Sequence, residues 1–323
     1  MSLHYLHRLV AGFWLGAALA VALNGCSRAT PESGQITAVP QPNQGLKGNL
    51  TALGQADDLG REIKLNGVAG RVAIIGPGAT EALFVMGAGA ALVGRDQYTD
   101  YPPAALKAPV IGDYTGPFPE KVVAVRPDLV ILQGETWDKA RLDAWQQKCG
   151  VPVANLKSNS LEQVAQDIER LGAWVGAGEK AQQVAAPLRR PYPDIIWNTA
   201  FFEVQRSPLM TAGQGTLLNN MMQAAAMHNV ADKVKGYKQY SLEDLAAKPP
   251  DIYIVAEQKP DKARVLRELR QQPGLRDLPC IKLGRVIDVP ADWVERPGPR
   301  LGQGIDELVR QAKPFLPPHG THA

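Results

Sequence analysis

A repeat spaced by 123 positions constrains this chain more than any other feature. Glu120-Lys-Val-Val-Ala-Val-Arg-Pro-Asp-Leu-Val-Ile-Leu lies on Glu243-Asp-Leu-Ala-Ala-Lys-Pro-Pro-Asp-Ile-Tyr-Ile-Val without a gap. Glu120 coincides with Glu243, Ala124 with Ala247, Pro127 with Pro250 and Asp128 with Asp251 (243 minus 120 and 250 minus 127 are both 123). Each copy reads as a helix opened by Glu, stopped by Pro and followed by an apolar strand. A single repeat at so long a period is no solenoid. It predicts two α/β lobes of similar build, and 323 residues are enough for both.

Ahead of the first copy, Arg71 to Pro103 reads as one unit. Val72 to Ile75 is a strand with no polar position, as in a parallel sheet covered on both faces. A Gly76-Pro77-Gly78 turn opens a helix through Met86, and a short apolar run at Ala91 to Val93 leads to a loop with Tyr98 and Tyr101. Sheets of this kind hold ligands beyond the carboxyl ends of their strands, where that turn and loop fall. The turn is not a dinucleotide fingerprint. Glu81 stands at the third Gly position, and Pro77 removes a donor that a phosphate would use.

The remaining elements follow in order. The first lobe continues with a helix at Glu120 to Arg126, a strand at Asp128 to Leu132, a helix at Trp137 to Lys148 and a strand at Val151 to Val153. Leu161, Val164, Ile168, Leu171 and Trp174 share one helical face, and a second segment, Glu179 to Ala186, ends at Pro187. The second lobe has a strand at Phe201 to Val204, a loop at Ser207 to Thr216, and a helix to Ala226. After the repeat come a helix at Arg264 to Gln271 and strands near Ile281 and at Val286 to Val289. A loop at Ala291 to Arg300 leads to a last helix, Gly304 to Lys313. The expected organisation is 1–25 signal segment, 26–53 tether, 54–160 first lobe, 161–192 bridging helices and 193–323 second lobe.

Residues 1–25 carry Arg8 and an apolar run from Leu9 to Leu23, too short for a comfortable membrane span but right for a signal-peptide core. Leu23-Asn24-Gly25-Cys26 resembles a lipobox, which would make Cys26 a lipidated mature N-terminus; the alternative is an uncleaved anchor helix. Residues 27–53, rich in Pro, Gly, Gln, Asn and Thr, read as a flexible tether. Cys149 and Cys280 fall in different lobes and are expected as free, buried thiols. A net charge of +3, without a basic cluster, excludes nucleic acid as a partner. The histidines show no metal-ligand spacing, and no nucleophile motif is present.

What remains is a set of aromatics in loops after strands: Tyr98, Tyr101, Tyr114, Trp137, Tyr237, Tyr240 and Trp293. Together they would line a cleft for a large, flat or apolar ligand. Glu120 and Glu243 each sit in a helix's first turn, where the dipole favours an acid; the repeat leaves open whether they also contact arginines of a two-fold partner.

RVAIIGPGATEALFVMGAG, VGRDQYTDYPP, GDYTGPFPEKVVAVRPDLVI, SLEDLAAKPPDIYIV and DWVERPGPR together resemble the iron-siderophore, haem and cobalamin class of ABC-importer substrate-binding proteins, over roughly Asp57 to Lys313. That resemblance implies the class III periplasmic binding fold: two Rossmann-like lobes with central parallel sheets, joined by a long bridging helix, a ligand between them and no catalysis. It implies that Glu120 and Glu243 dock on arginines of an ABC importer permease dimer. The spacing is most similar to cobalamin-binding members. Tyr98 and Tyr114 match aromatics that pack on the corrin there, Tyr237 stands where those proteins carry Trp, and Asp292-Trp293-x-Glu295-Arg296 matches their Asp-Trp-Phe-Glu-Arg loop. Pro77 becomes cleft floor, and Trp137 is offset from the family's aromatic.

Two departures stand out: Ala226-Met227 replaces a Gly-Gly pair, and Pro187, Pro191 and Pro193 interrupt the bridge where relatives continue. The expectation is a monomeric, lipid-anchored, extracytoplasmic protein with no cofactor or structural metal, carrying a corrinoid. Alternatives are haem, with Tyr98 or Tyr114 on the iron, a ferric siderophore, or an α/β envelope enzyme using the cleft.

Overall fold

The computed structural model describes residues 55–134, 136–191 and 198–315. The expected signal segment, the tether, Cys26 and Pro193 lie outside them. In the N-terminal lobe β1 (Val72–Ile75), buried along its length, is followed by α1 (Pro77–Val85), β2 (Leu92–Asp96), β3 (Val110–Asp113) and β4 (Gly116–Pro117). Next come α2 (Pro119–Val125), β5 (Leu129–Gln133), α3 (Lys139–Cys149) and β6 (Val153–Leu156). The sheet order is β4-β3-β2-β1-β5-β6, parallel except for β4. The chain winds outward from β1 through β2 and β3, then crosses back to β5. This makes the gap between the ends of β1 and β5 the switch point where such sheets open a crevice.

Two helices lead to the second lobe, α4 (Leu161–Val175) and α5 (Gly178–Ala185). Ser160 caps α4 by accepting from the Gln163 N–H, and Gly176 ends it in the left-handed conformation. The C-terminal lobe follows with β7 (Asn198–Arg206), β8 (Leu209–Ala212), α6 (Leu217–Ala224), β9 (Met227–Asn229), β10 (Tyr237–Gln239), α7 (Leu242–Ala247) and β11 (Ile252–Glu257). It closes with α8 (Lys262–Gln271), α9 (Pro279–Lys282), β12 (Val286–Pro290), α10 (Ala291–Val294) and α11 (Leu301–Ala312). Its sheet runs β10-β8-β7-β11-β12, with β9 also on β7; β7, β9, β11 and β12 are parallel neighbours.

The repeat does the same work twice. Its copies are α2 with β5 and α7 with β11, and each strand pairs in parallel with the first strand of its lobe. Asp128 accepts from the Arg71 N–H at 2.9 Å just before β1, and Asp251 from the Thr199 N–H at 2.8 Å within β7. The repeated Asp is thus a strand clasp.

Strand alternation divides the core. Val72 and Ile74 in β1, Phe202 and Val204 in β7, and Ile252 and Ile254 in β11 join one apolar cluster with Val164, Ile168, Leu171 and Trp174 of α4. Ala73 and Ile75 face a second cluster confined to the N-terminal lobe, and Phe201 and Tyr253 a third confined to the C-terminal lobe. The shared cluster therefore joins both sheets through the bridge.

Three readings need correction. Ile281 is in a helix, α9, started by Pro279 in its first turn, where a missing N–H costs nothing. Ser207 to Thr216 contains β8, which pairs with β7 and β10, and Ala291 to Arg300 contains α10. Cys149 and Cys280 are free and buried. Trp174 is fully buried in the shared cluster, so Trp174→Ala should cost about 3–5 kcal/mol. Urea unfolding followed in parallel by fluorescence and far-UV circular dichroism should give coincident wild-type transitions. Separate transitions would mean the lobes fold independently.

Candidate functional site

The crevice expected at the switch point is present and extends between the lobes. Its cavity volume is about 190 Å³. Ile75, Gly76, Pro77, Gly78, Gln133 and Gly134 contribute the ends of β1 and β5. Tyr98, Tyr114 and Trp137 add an aromatic wall from the same lobe. The opposite wall is apolar, from Val204, Leu217, Leu218, Tyr237 and Val294, with Arg296 and Pro297 at its edge.

Asp96 aligns the first wall. Buried at the end of β2, its carboxylate accepts from the Gly76 N–H at 2.7 Å, the Tyr98 N–H at 2.6 Å, the Thr99 N–H at 2.8 Å and the Thr99 hydroxyl at 3.1 Å. Burial pushes this carboxyl above its ordinary range, and the four hydrogen bonds pull it back in part. One side chain therefore ties the Gly-Pro-Gly turn to the Tyr98 loop. Tyr98 and Tyr114 lie with ring centroids 6.1 Å apart, tilted at 44°. Trp137 stands edge-on to Trp145 at 5.2 Å, with the Arg141 guanidinium 4.9 Å from its ring.

Gln133 joins the lobes at the cleft base. Its Oε1 accepts from the Ala79 N–H at 3.0 Å, and its Nε2 donates to the Ser158 hydroxyl at 3.0 Å and to the Pro297 carbonyl at 2.7 Å. The backbones also meet here: a Cβ on Gly78 would sit 2.0 Å from the Pro297 oxygen. Behind this contact, against Val164, Ile168 and Leu171 of α4, about 10 Å³ remains, near the lower limit for a water.

Beside the base, charges cross between lobes. Arg300 makes a two-point bond to the buried Glu81, Nε to Oε2 at 2.8 Å and Nη2 to Oε1 at 2.5 Å. Arg296 reaches Asp100 at 2.6 Å and Asp292 at 2.9 Å, with Glu81 at 3.7 Å. Burial pushes the Glu81 carboxyl up, and the arginines offset only part of that. The Arg300 guanidinium also covers the Tyr101 ring at 4.5 Å.

The structure thus brings Pro77, Tyr98, Tyr114, Tyr237 and Arg296 into one cleft, and Trp137 with them. It does not bring Trp293. In a four-residue helix neighbouring side chains diverge by about 100°, so while Val294 turns to the cleft, Trp293 lines a separate groove with Pro260, Lys262 and Phe315. Asp292 is outside the cleft lining and is engaged by Arg296, Arg300 and Gln258. Tyr240 packs on Phe201 at 5.4 Å, in the outer core of its lobe. Glu120 and Glu243 are exposed in the first turns of α2 and α7, without a salt bridge to another described residue. Among the described residues no group of acids, histidines and cysteines could hold a metal ion. The reading missed Asp96, Gln133 and the Glu81–Arg300 pair; an Asp closing β2 and a Gln closing β5 were the available signals.

Comparison with known proteins places this architecture. Residues 72–293 match the model of the periplasmic binding protein family. The chain is 31% identical over 242 residues to the vitamin B12-binding protein of Salmonella choleraesuis, covering 72% of this chain and 86% of that one. It is 27% identical over 319 residues to the uncharacterized ABC transporter substrate-binding lipoprotein YvrC of Bacillus subtilis, covering 94% and 97%. The crystal structure of the periplasmic vitamin B12-binding protein BtuF of Vibrio cholerae superposes with a TM-score of 0.65 at 24% identity, covering 76% and 98%. The chain belongs to the periplasmic binding protein family. It is a substrate-binding protein of an ABC importer, a transport component and not an enzyme.

The base contact gives a test. Gly78→Ala should destabilise by about 1–3 kcal/mol through overpacking. Gly178→Ala, where a Cβ meets nothing within 4 Å, should be neutral or stabilising in thermal unfolding.

Proposed function

We propose that this protein captures a corrinoid between its lobes and delivers it to an ABC importer permease dimer. The observation that carries this reading is the cleft's makeup, an aromatic wall of Tyr98, Tyr114 and Trp137 facing an apolar wall with Tyr237. Such walls suit the faces of a flat macrocycle, which aromatic rings cover without needing a catalytic group. The relationship to vitamin B12-binding proteins supports the same ligand.

Glu120 and Glu243 are the docking carboxylates. Each is exposed in the first turn of a repeat helix, as the second residue of that helix. Paired acids of this kind fit two arginine sites on a two-fold partner. Cys26 is the lipid attachment point, and the protein is a monomer anchored on the outer side of the cell membrane. The match to the Bacillus lipoprotein leaves out 6% of this chain, about 20 of 323 residues, which is too few to exclude Cys26.

Calorimetric titration with cyanocobalamin, haemin and a ferric siderophore tests the ligand. Cyanocobalamin should bind at one per chain; binding of haemin alone would replace the corrinoid with haem. Glu120→Arg combined with Glu243→Arg should abolish corrinoid uptake in cells while the calorimetric affinity stays at the wild-type value. Unchanged uptake would remove these residues from the permease contact.

A further inference from the structure

The ionisable groups of the cleft are unequally matched. Asp96 is spent on hydrogen bonds within its own lobe, and Arg296 is flanked by Asp100 and Asp292. Lys157 also lines the cleft, half-buried, and forms no ion pair with another described residue.

The backbone is shaped to put it there. The Lys157 N–H donates to Asp58 at 2.6 Å. Ser158, the next residue, has φ 55, a left-handed conformation disfavoured for a residue with a Cβ. The Ser158 hydroxyl is held from two sides, donating to Asp167 at 2.6 Å and accepting from Gln133 at 3.0 Å. A strained residue fixed so firmly at a cleft edge points to function there.

A second observation comes from the neighbouring strand end. The buried indole N–H of Trp137 has no hydrogen-bond partner among the described residues. It lies 3.4 Å from where a Cβ on Gly134 would sit, and the Gly134 N–H donates to the Leu156 carbonyl at 2.8 Å. Trp137 and Lys157 therefore border the same corner, over the adjacent carboxyl ends of β5 and β6. A donor and a cation that have no partner among the described residues can both be satisfied by one group, an anionic oxygen.

We propose that Lys157 and Trp137 form a subsite for a carboxylate or phosphate at the fringe of the ligand, while the aromatic and apolar walls hold its ring. The inference rests on the reading of the cleft as a macrocycle site. A porphyrin supplies such a group as a propionate, and a complete corrinoid as the phosphate of its nucleotide loop.

The test uses two matched pairs of probes on the purified protein: haemin with haemin dimethyl ester, and cyanocobalamin with dicyanocobinamide, which lacks the phosphate. Wild type should bind the anion-bearing member of at least one pair about tenfold more tightly, as one charge-assisted hydrogen bond warrants. The pair that shows the preference identifies the source of the anion. Lys157→Met should bring the affinity ratio near one, Lys157→Arg should keep it, and Trp137→Phe should reduce it. A wild-type ratio of one in both pairs, or a ratio that survives Lys157→Met, overturns the subsite and leaves the macrocycle reading standing. Failure of wild type to bind any of the four probes overturns both.

Discussion

One apolar cluster runs from the first sheet through the bridging helices into the second, and the cleft geometry depends on it. Alternate residues of β1, β7 and β11 enter it, together with the buried face of α4. Separating the lobes would expose part of that surface at about 25 cal/mol per Å². The helices that join the sheets contribute their buried faces to this same core. The ligand walls are therefore held at nearly constant separation before any ligand arrives, which lowers the ordering cost of binding.

The polar contacts across the base act on a different property. A buried carboxylate with two guanidiniums near it recovers its desolvation only in part, as the upward shift at Glu81 indicates. Such a cluster contributes little net stability but is costly to break on one side. It favours one register of the loop after α10 over its neighbours, because Arg296, Pro297 and Arg300 meet separate partners in the other lobe. The apolar core thus sets how strongly the lobes are joined, and the charges set their alignment.

Much of the fold was legible because its signals are local. Within each copy of the repeat the opening Glu, the stopping Pro and the apolar strand act over a few positions, as do the uniformly apolar strands elsewhere. The fully apolar stretch at β1 could be read from four residues, and the face of α4 from five. The failures have physical reasons. Ile281 sits in an apolar run too short for periodicity to separate strand from helix, and Pro279 was the deciding residue. Trp293 was drawn to the cleft by the motif around it, while the one-turn helix α10 directs its neighbour Val294 there instead. Glu81 and Arg300 are 219 residues apart, and no local pattern couples them. Gln133 and Lys157 are ordinary polar residues in sequence; only the ends of adjacent strands make them neighbours.

The contact between Gly78 and Pro297 constrains how this cleft can change over evolution. Main chain lies against main chain there, so no side chain can be trimmed to narrow the gap at the base, and even a Cβ at Gly78 would force the two backbones apart. Further out, Tyr114 and Tyr237 present side chains to the opening. A lineage that adapts this scaffold to a bulkier or slimmer cargo must do so by trimming the rim, while the depth to which any cargo sinks stays the same.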